Sequence, residues 1–256
     1  MSVTRQKLVE IQGVSMFYFS REGEYIHALE KVSFDIYEKE FITIVGPSGC
    51  GKTTIAKIIG GLLPYSEGRV RLRGILVDGP QSDIGYVFQS PVLLKWRNVL
   101  ANVLLPVEVL GLDLGVYRNK ALELLELVGL RGFENKSPWE LSGGMQQRVS
   151  IARALIHEPS MLIMDEPFGA LDAITREEMS LELLRIWDER KKTVIFITHS
   201  IAEAVLLGDR VVVMTPRPGR VKEMVNIGLP RPRGKETRAM RDYVDYVEKI
   251  RSLIGS

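Results

Sequence analysis

The 256-residue sequence contains a single cysteine, Cys50, and only three histidines. One cysteine excludes an internal disulfide framework and suits a reducing cytoplasm. The sequence also has no run of about eighteen apolar residues free of charge, so no segment reads as a membrane span. If the chain serves a membrane, it must do so through a partner. The opening stretch "MSVTRQKLVEIQG" lacks the apolar centre of a secretory signal. Charge is nearly balanced, with 34 Lys and Arg against 32 Asp and Glu and a formal net charge of +2. That excess is too small to imply nucleic-acid binding by itself. Internal repeats and low-complexity tracts are missing too. What remains, 45% hydrophobic and 26% charged residues, is the composition of a soluble globular protein with ample material for a core. The length accommodates one large domain or a domain with a subdomain.

Along the chain, "KLVEIQGVSM" and "KVSFDIYEKEFITIVG" are rich in β-branched and aromatic residues and read as strands. "KTTIAKIIGGLL" has apolar residues at helical spacing and stops at a Gly-Gly pair. Short strand signals return at "GRVRLRG" and "DIGYVFQ". From Trp96 to Glu140 the texture turns leucine-rich and helical, as in "NVLANVLLPVEVLG" and "GVYRNKALELLELVGL". This block reads as a helical insertion in an otherwise alternating chain. The helix "SGGMQQRVSIARALI", the strand "MLIMD" and the helix "TREEMSLELLRIWDERKK" follow. The strand "TVIFITH", the short helix "SIAEAVLLG" and the strand "RVVVM" complete the alternation. Alternating helices and continuous apolar strands predict an α/β fold whose parallel sheet is covered on both faces. Beyond Thr215, "PRPGR" and "LPRPRG" with the charged helix from Lys235 read as a peripheral appendage, and "PRPGR" on its own reads as a turn-rich connector with its arginines in solvent.

"GPSGCGKT", Gly46 to Thr53, fits the phosphate-loop pattern and lies between the apolar strand "FITIV" and a helix, as that pattern requires. Gly46, Pro47, Ser48, Gly49, Cys50 and Gly51 would curl backbone N–H groups around an anion. Lys52, Thr53 and Thr54 would sit at the positive end of the helix dipole. Lys52 would reach the β- and γ-phosphates of a nucleotide, and the Thr53 hydroxyl would ligate Mg2+. Cys50 has no chemistry to perform. Placed at the crest of the loop, near a helix start and beside Lys52, its thiol is expected to react readily where exposed. "MLIMDE", Met161 to Glu166, is a buried strand that releases two carboxylates at its C-terminal end, where parallel sheets bind ligands. Asp165 would hold Mg2+, and Glu166 would orient or deprotonate the attacking water. A lone "DE" is commonly a pair of solvated acids; the phosphate loop makes this pair its best-placed partner. "LSGG", Leu141 to Gly144, sets Ser142, Gly143 and Gly144 at another helix start. Spacing alone favours a helix cap there, although such an end is also a ready anion site.

The phosphate loop, "LSGGMQQR", "LIMDEP", "GALD" and "ITH", in this order and approximate spacing, resemble the ATP-binding cassette (ABC) ATPase subunits. The likeness covers nearly the whole chain up to about Thr215 and implies a P-loop NTPase fold. That fold has a mostly parallel central sheet, an N-terminal antiparallel β subdomain and an inserted α-helical subdomain. On this pattern one ABC ATPase domain spans 1–256. Its β subdomain and RecA-like core occupy 1–95 and 157–215, its helical subdomain about 96–156, and its C-terminal appendage 216–256. The resemblance implies ATP and Mg2+ as cofactors. In ABC ATPases the signature closes on the γ-phosphate held by a second subunit. Ser142, Gly143, Gly144 and Gln146 would therefore contact a partner copy's ATP in a head-to-tail dimer. Gln89, in "YVFQS", matches the Q-loop glutamine that touches Mg2+ and the attacking water. His199, in "FITHS", matches the switch histidine that contacts the γ-phosphate. Tyr18, in "VSMFYF", matches the aromatic that stacks on adenine, with Phe17 and Phe19 as competing rings. Asp172, in "GALD", matches the loop that links the two sites across the dimer. His27 and His157 have no such context and read as surface residues.

Two further stretches narrow the branch. "VLLKWRNVLANV", just after Gln89, resembles the importer segment that receives a coupling helix from the membrane subunit. That segment commonly reads "LLPW", and Lys95 departs from it. "VVVMTPRPGRV" followed by "GLPRPR" resembles importers of the nitrate, sulfonate and taurine group. The resemblance thus implies the ATP-hydrolysing, energy-coupling subunit of an importer for a small anionic solute such as nitrate, sulfonate or taurine. Expected partners are a second copy of the ATPase, transmembrane permease subunits and a periplasmic or lipid-anchored substrate-binding protein, with no nucleic acid. The expected location is the cytoplasmic face of the inner cell membrane. The alternative is a soluble non-transport ABC ATPase acting on a macromolecule, which nucleic acid-stimulated hydrolysis without any permease would reveal.

Overall fold

The computed structural model describes residues 6–19 and 23–255. The chain opens with β1 (Lys7–Phe19), β2 (Tyr25–Tyr37), β3 (Phe41–Val45) and α1 (Lys52–Ile59). It continues through β4 (Glu67–Leu72), β5 (Ile75–Leu76), β6 (Ile84–Val87), α2 (Val99–Val109) and α3 (Leu114–Leu127). Next come α4 (Gly143–Leu155), β7 (Met161–Asp165), α5 (Ala173–Arg190) and β8 (Thr193–Ile197). The last elements are α6 (Ile201–Leu207), β9 (Arg210–Met214), β10 (Val221–Asn226) and α7 (Arg241–Gly255). Contacts group the chain into two compact units, 1–81 with 191–256, and 82–190.

In the first unit, β3 and β8 are buried at every position. A strand covered on both faces has no polar side to present, so "FITIV" and "TVIFI" read as unbroken apolar runs. Each fully buried Val, Ile or Phe there contributes about 1.5–3 kcal/mol relative to exposure. β3 lies parallel to β8, with Phe41 opposite Val194, and parallel to β9, with Ile42 opposite Arg210. β10 joins β9 antiparallel as an edge strand, and only Val225 of it is buried. Its mixed sequence "VKEMVN" carries no clear strand signal. A second sheet, ordered β2-β1-β4-β5, is antiparallel throughout, as expected for the N-terminal subdomain. The stretch predicted as one strand from Lys31 divides into β2 and β3 around Lys39, which takes φ +59. Glu40 fixes that turn: its carboxylate accepts from the Tyr37 N–H at 2.9 Å and, nearly fully buried, pairs with Arg210 at 3.1 Å.

The segment read as a peripheral appendage, 216–256, is instead packed into this unit. Arg233 is 5% exposed and donates to five carbonyls, those of Val205, Leu206 and Gly208 at the end of α6 and those of Ile227 and Leu229. Arg231 donates to Asp209 at 2.8 Å and to the Leu207 carbonyl at 2.7 Å. The carbonyls of Val205, Leu206 and Leu207 are those that α6 leaves unpaired at its C-terminus, and two arginines cap them. From α7, the Tyr243 hydroxyl donates to the Ala202 carbonyl at 3.1 Å. Arg217 and Arg220 of "PRPGR" are exposed, as that stretch read by itself suggests, whereas Arg231 is half-buried and Arg233 buried. Gly219 pairs with β2 through Ala28 and Glu30, both at 3.0 Å. A Cβ on Gly219 would stand 1.9 Å from the Cys50 carbonyl oxygen, so only glycine lets this hairpin lie against the phosphate loop.

In the second unit, β6 and β7 pair in parallel from Ile84 opposite Met161 to Val87 opposite Met164. The helical block forms as the pattern predicts. Asn98 caps α2 by accepting from Ala101 N at 2.8 Å, and Asp113 caps α3 by accepting from Gly115 N at 2.7 Å. Helix α4 lies so close on β6 that a Cβ at Gly85 would come within 2.3 Å of the Ala154 carbonyl oxygen.

Candidate active site

The strand β3 ends in the glycine-rich loop, and α1 begins at Lys52. Gly49 and Gly51 take φ of +73 and +99, which only glycine enters without strain. No side chain caps α1 at Gly51, and a helix start of this kind is where backbone N–H groups are suited to bind an anion. Gly46 is buried, Pro47 partly so, and Ser48, Gly49 and Thr53 are exposed, with Thr54 half-buried. Lys52 is 5% exposed and donates to the carbonyls of Gly46 and Pro47, both at 2.9 Å, with the Cys50 Sγ at 3.9 Å. Those contacts are neutral. An ammonium held by carbonyls and a thiol, at a helix start, fits an anionic ligand that would complete its charge.

Cys50 does not occupy the crest. Its side chain is 1% exposed and turned inward, and a Cβ on Gly46 would lie 2.9 Å from its sulfur. The loop's exposed rim is formed by Ser48 and Gly49, while the thiol packs beneath it. Thiol labelling of the folded chain is therefore expected to wait for opening of the structure and to reach completion only in denaturant. Full labelling of the native protein within minutes would contradict this burial.

In the second unit, β7 delivers Asp165, 6% exposed, and then Glu166, which is partly exposed and takes φ +46. A non-glycine residue in that region is held there by its surroundings, a frequent mark of a functional carboxylate. A Cβ placed on Gly169 would lie 3.6 Å from the Glu166 Oε2 and also 3.6 Å from the Gln89 Nε2. The fold thus brings Gln89 and Glu166 to one spot, although they sit far apart in sequence. Burial raises the Tyr86 phenol well above its ordinary range, and the Asp165 charge adds to the effect. Tyr86 stacks on Phe88 at 4.4 Å and stays protonated at every physiological pH.

The signature opens α4. The Ser142 hydroxyl accepts from Met145 N at 3.3 Å, the helix cap that spacing favours. Ser142 and Gly143 are exposed and Gly144 is buried, where a Cβ would meet Thr175 Cγ2 at 3.2 Å. Gln146 turns back on its own loop, donating to the carbonyls of Pro138 at 3.0 Å and Leu141 at 3.2 Å. Both bonds use its amide N–H groups, which tie the signature loop to the residues before it. Asp172 caps the start of α5, accepting from Ile174 N at 3.1 Å and Thr175 N at 3.0 Å. The bonds from Thr175 hold its carboxyl below the usual range.

His199 is exposed at the end of β8 in the first unit. The residue before it, Thr198, donates to the buried Glu203 and accepts from Ser200 N at 3.0 Å, which fixes the backbone on both sides of the ring. Tyr18 is partly exposed on β1, opposite Ile26. Phe17 stacks on Tyr25 at 5.1 Å and meets His27 at a tilt at 4.5 Å, and Phe19 meets Tyr25 edge-on at 5.5 Å. Both competing rings thus belong to the Tyr25 cluster on one face, and Tyr18 stands on the other. His27, read as a surface residue, is half-buried in that cluster.

A phosphate loop between a parallel strand and a helix, with a carboxylate pair ending another parallel strand, defines a P-loop nucleotide-binding protein. The family described as ABC transporter matches residues 29–169. The taurine import ATP-binding protein TauB of Rhizobium johnstonii is 47% identical over 97% of either chain. The aliphatic sulfonates import ATP-binding protein SsuB of Bacillus cereus is 42% identical over 91% of this chain and 92% of its own. Among solved structures, the dimeric post-hydrolysis state of the ATP-binding cassette MJ0796 bound to ADP and Pi superposes with a TM-score of 0.75. It is 37% identical, covering 86% of this chain and 99% of that one. The chain belongs to the ABC transporter family, and it is an ATP-binding cassette ATPase.

Proposed function

We propose that the chain is the energy-coupling ATPase of an importer for a small anionic solute of the sulfonate or taurine kind. The observation that carries this reading is the 47% identity to a taurine import ATP-binding protein across nearly the full length of both chains. On this reading 1–256 is one ABC ATPase domain, with about 96–156 as its helical subdomain. The chain works as a dimer with a second copy, as a peripheral subunit on the cytoplasmic face of the membrane. Permease subunits and a substrate-binding protein complete the importer. Among the described residues no helix is long and apolar enough to cross a membrane, so coupling requires a docking surface.

A groove of about 440 Å³ in the second unit supports that role. Tyr86, Phe88, Val92, Leu105, Pro106 and Val109 line it, an apolar seat for a helix from the permease. The adjoining Leu94–Asn98 turn carries Trp96, 79% exposed. Buried Asn102 pins this turn, accepting from Leu94 N at 2.7 Å and donating to the carbonyls of Leu94, Arg97 and Asn98 at 3.0–3.1 Å. Lys95 stands where this segment commonly has proline.

Within the active site we assign Lys52 and the N–H groups of Gly46 to Thr54 to the phosphates, and Tyr18 to the adenine. Among the described residues no group of three or more His, Cys, Asp or Glu could hold a metal alone. Mg2+ takes few protein oxygens when phosphates and water supply the rest; Thr53 of the first unit and Gln89 and Asp165 of the second are the oxygen donors we assign to it. A bound Mg2+ would supply positive charge to the nucleotide's phosphates. Glu166 orients the attacking water and takes its proton, and Gln89 and His199 position water and γ-phosphate. Ser142, Gly143 and Gly144 of the second copy close on the same phosphates, and Asp172 links the two sites.

The test is transfer into a taurine-importing strain that lacks its own ATP-binding subunit, followed by uptake of labelled taurine, alkanesulfonate and nitrate. Uptake of one of these, lost with Lys52→Ala, is the expected result. An active ATPase that restores none of the three would reject this solute class.

A further inference from the structure

One helix holds both ends of the segment that carries Gln89. In α4, Gln147 is 2% exposed and donates from Nε2 to the Phe88 carbonyl at 3.3 Å. Further along the same helix, Arg153 donates to the Pro91 carbonyl at 2.7 Å and to the Val92 carbonyl at 2.8 Å. Phe88 to Val92 has no helix or strand of its own, so these side-chain bonds satisfy carbonyls that no ladder reaches. The planar guanidinium suits two successive carbonyls in a way an ammonium does not. Val92 takes φ +46, a conformation that a β-branched residue adopts only where its surroundings impose it. The N-terminus of this helix is the signature itself, Ser142 to Gly144.

We propose that Gln147 and Arg153 are positioning residues that lock the Gln89 segment to α4. Through them, any displacement of the signature end is passed to the Gln89 amide, which they hold beside Glu166. The inference rests on the reading of Gln89 as a hydrolytic residue. It differs from simple support of the fold in one respect: the effect of either residue must run through Gln89.

The experiment measures kcat and KM for MgATP, with thermal midpoints, on full-length Gln89→Ala, Arg153→Met, Gln147→Leu, Arg153→Lys and the double variant Gln89→Ala/Arg153→Met. Arg153→Met keeps the aliphatic stem and removes the donors. It is expected to lower kcat about tenfold while KM stays within about twofold, because the phosphate loop is untouched. Arg153→Lys, which restores one donor, should recover part of that loss. The double variant should be no slower than Gln89→Ala alone, since a residue acting through Gln89 has nothing left to position. Should Arg153→Met fail to fold, Gln147→Leu in the same cycle carries the test. Losses that multiply in the double variant, or a folded Arg153→Met with parental kcat, would overturn the proposal. If Gln89→Ala itself hydrolyses ATP at the parental rate, the hydrolytic reading of Gln89 falls first, and the proposal falls with it.

Discussion

Glu166→Gln is expected to bind ATP as the parent chain does and to hydrolyse it at least about a hundredfold more slowly. The amide has the shape of the carboxylate and keeps the φ +46 backbone occupied, so the turn at the end of β7 is preserved. What it loses is the ability to take a proton from water. Lys52 and the glycine loop remain intact in the first unit, so affinity for ATP should change little. ATP-binding titration and steady-state phosphate release measure the two effects separately. In the presence of MgATP the variant should also elute as a dimer on size exclusion, because the closed state no longer resolves through hydrolysis. Turnover within about threefold of the parent would remove Glu166 from the role assigned to it.

Arg233→Met is expected to cost about 3 kcal/mol of stability, read as a lower urea midpoint with an unchanged slope. The methionine fills the volume but leaves the carbonyls of Val205, Leu206, Gly208, Ile227 and Leu229 without their donor. Burial lowers the Arg233 guanidinium to about 10, with the neighbouring Arg231 adding to the effect and Asp209 opposing it. The folded value lies below the unfolded one, so folding disfavours the charge. That penalty is constant below pH ~10 and is relieved only as pH rises through the window between the two values. Near neutral pH the arginine is charged in both states and contributes no slope. The five carbonyls must offset its burial, and the urea experiment measures how well they do. A midpoint unchanged within error would show that water replaces the guanidinium without loss.

The parts of this molecule that sequence reveals are those where chemistry dictates residue type at short range. The phosphate loop, the "MLIMD" strand with its two acids and the capped signature helix each announce themselves within a dozen residues, and all form where they were expected. What escaped were contacts between distant segments. Gln147 and Arg153 look like ordinary polar positions on a helix until Phe88, Pro91 and Val92 arrive opposite them. Arg233 sits in a proline-rich run that resembles a solvated connector, because nothing local says that α6 ends beside it. Cys50 shows another limit. Its position in the motif is right, but spacing says nothing about which way a side chain turns.

The order of β3 among its neighbours also carries a consequence for biosynthesis. β3 (Phe41–Val45) lies between β8 (Thr193–Ile197) and β9 (Arg210–Met214), so it leaves the ribosome long before either partner exists. At cellular elongation speeds the delay is on the order of ten to thirty seconds. During that interval an apolar strand buried on both faces in the finished protein has no sheet to join. The second unit, 82–190, is made inside this interval and is contiguous in sequence, so the contacts among its own helices can form first. The nascent chain is therefore expected to need chaperone cover over residues 41–59 until β9 emerges. Ribosome-bound intermediates stalled before Arg210 should be cut by protease there while the helices from Val99 onward already resist.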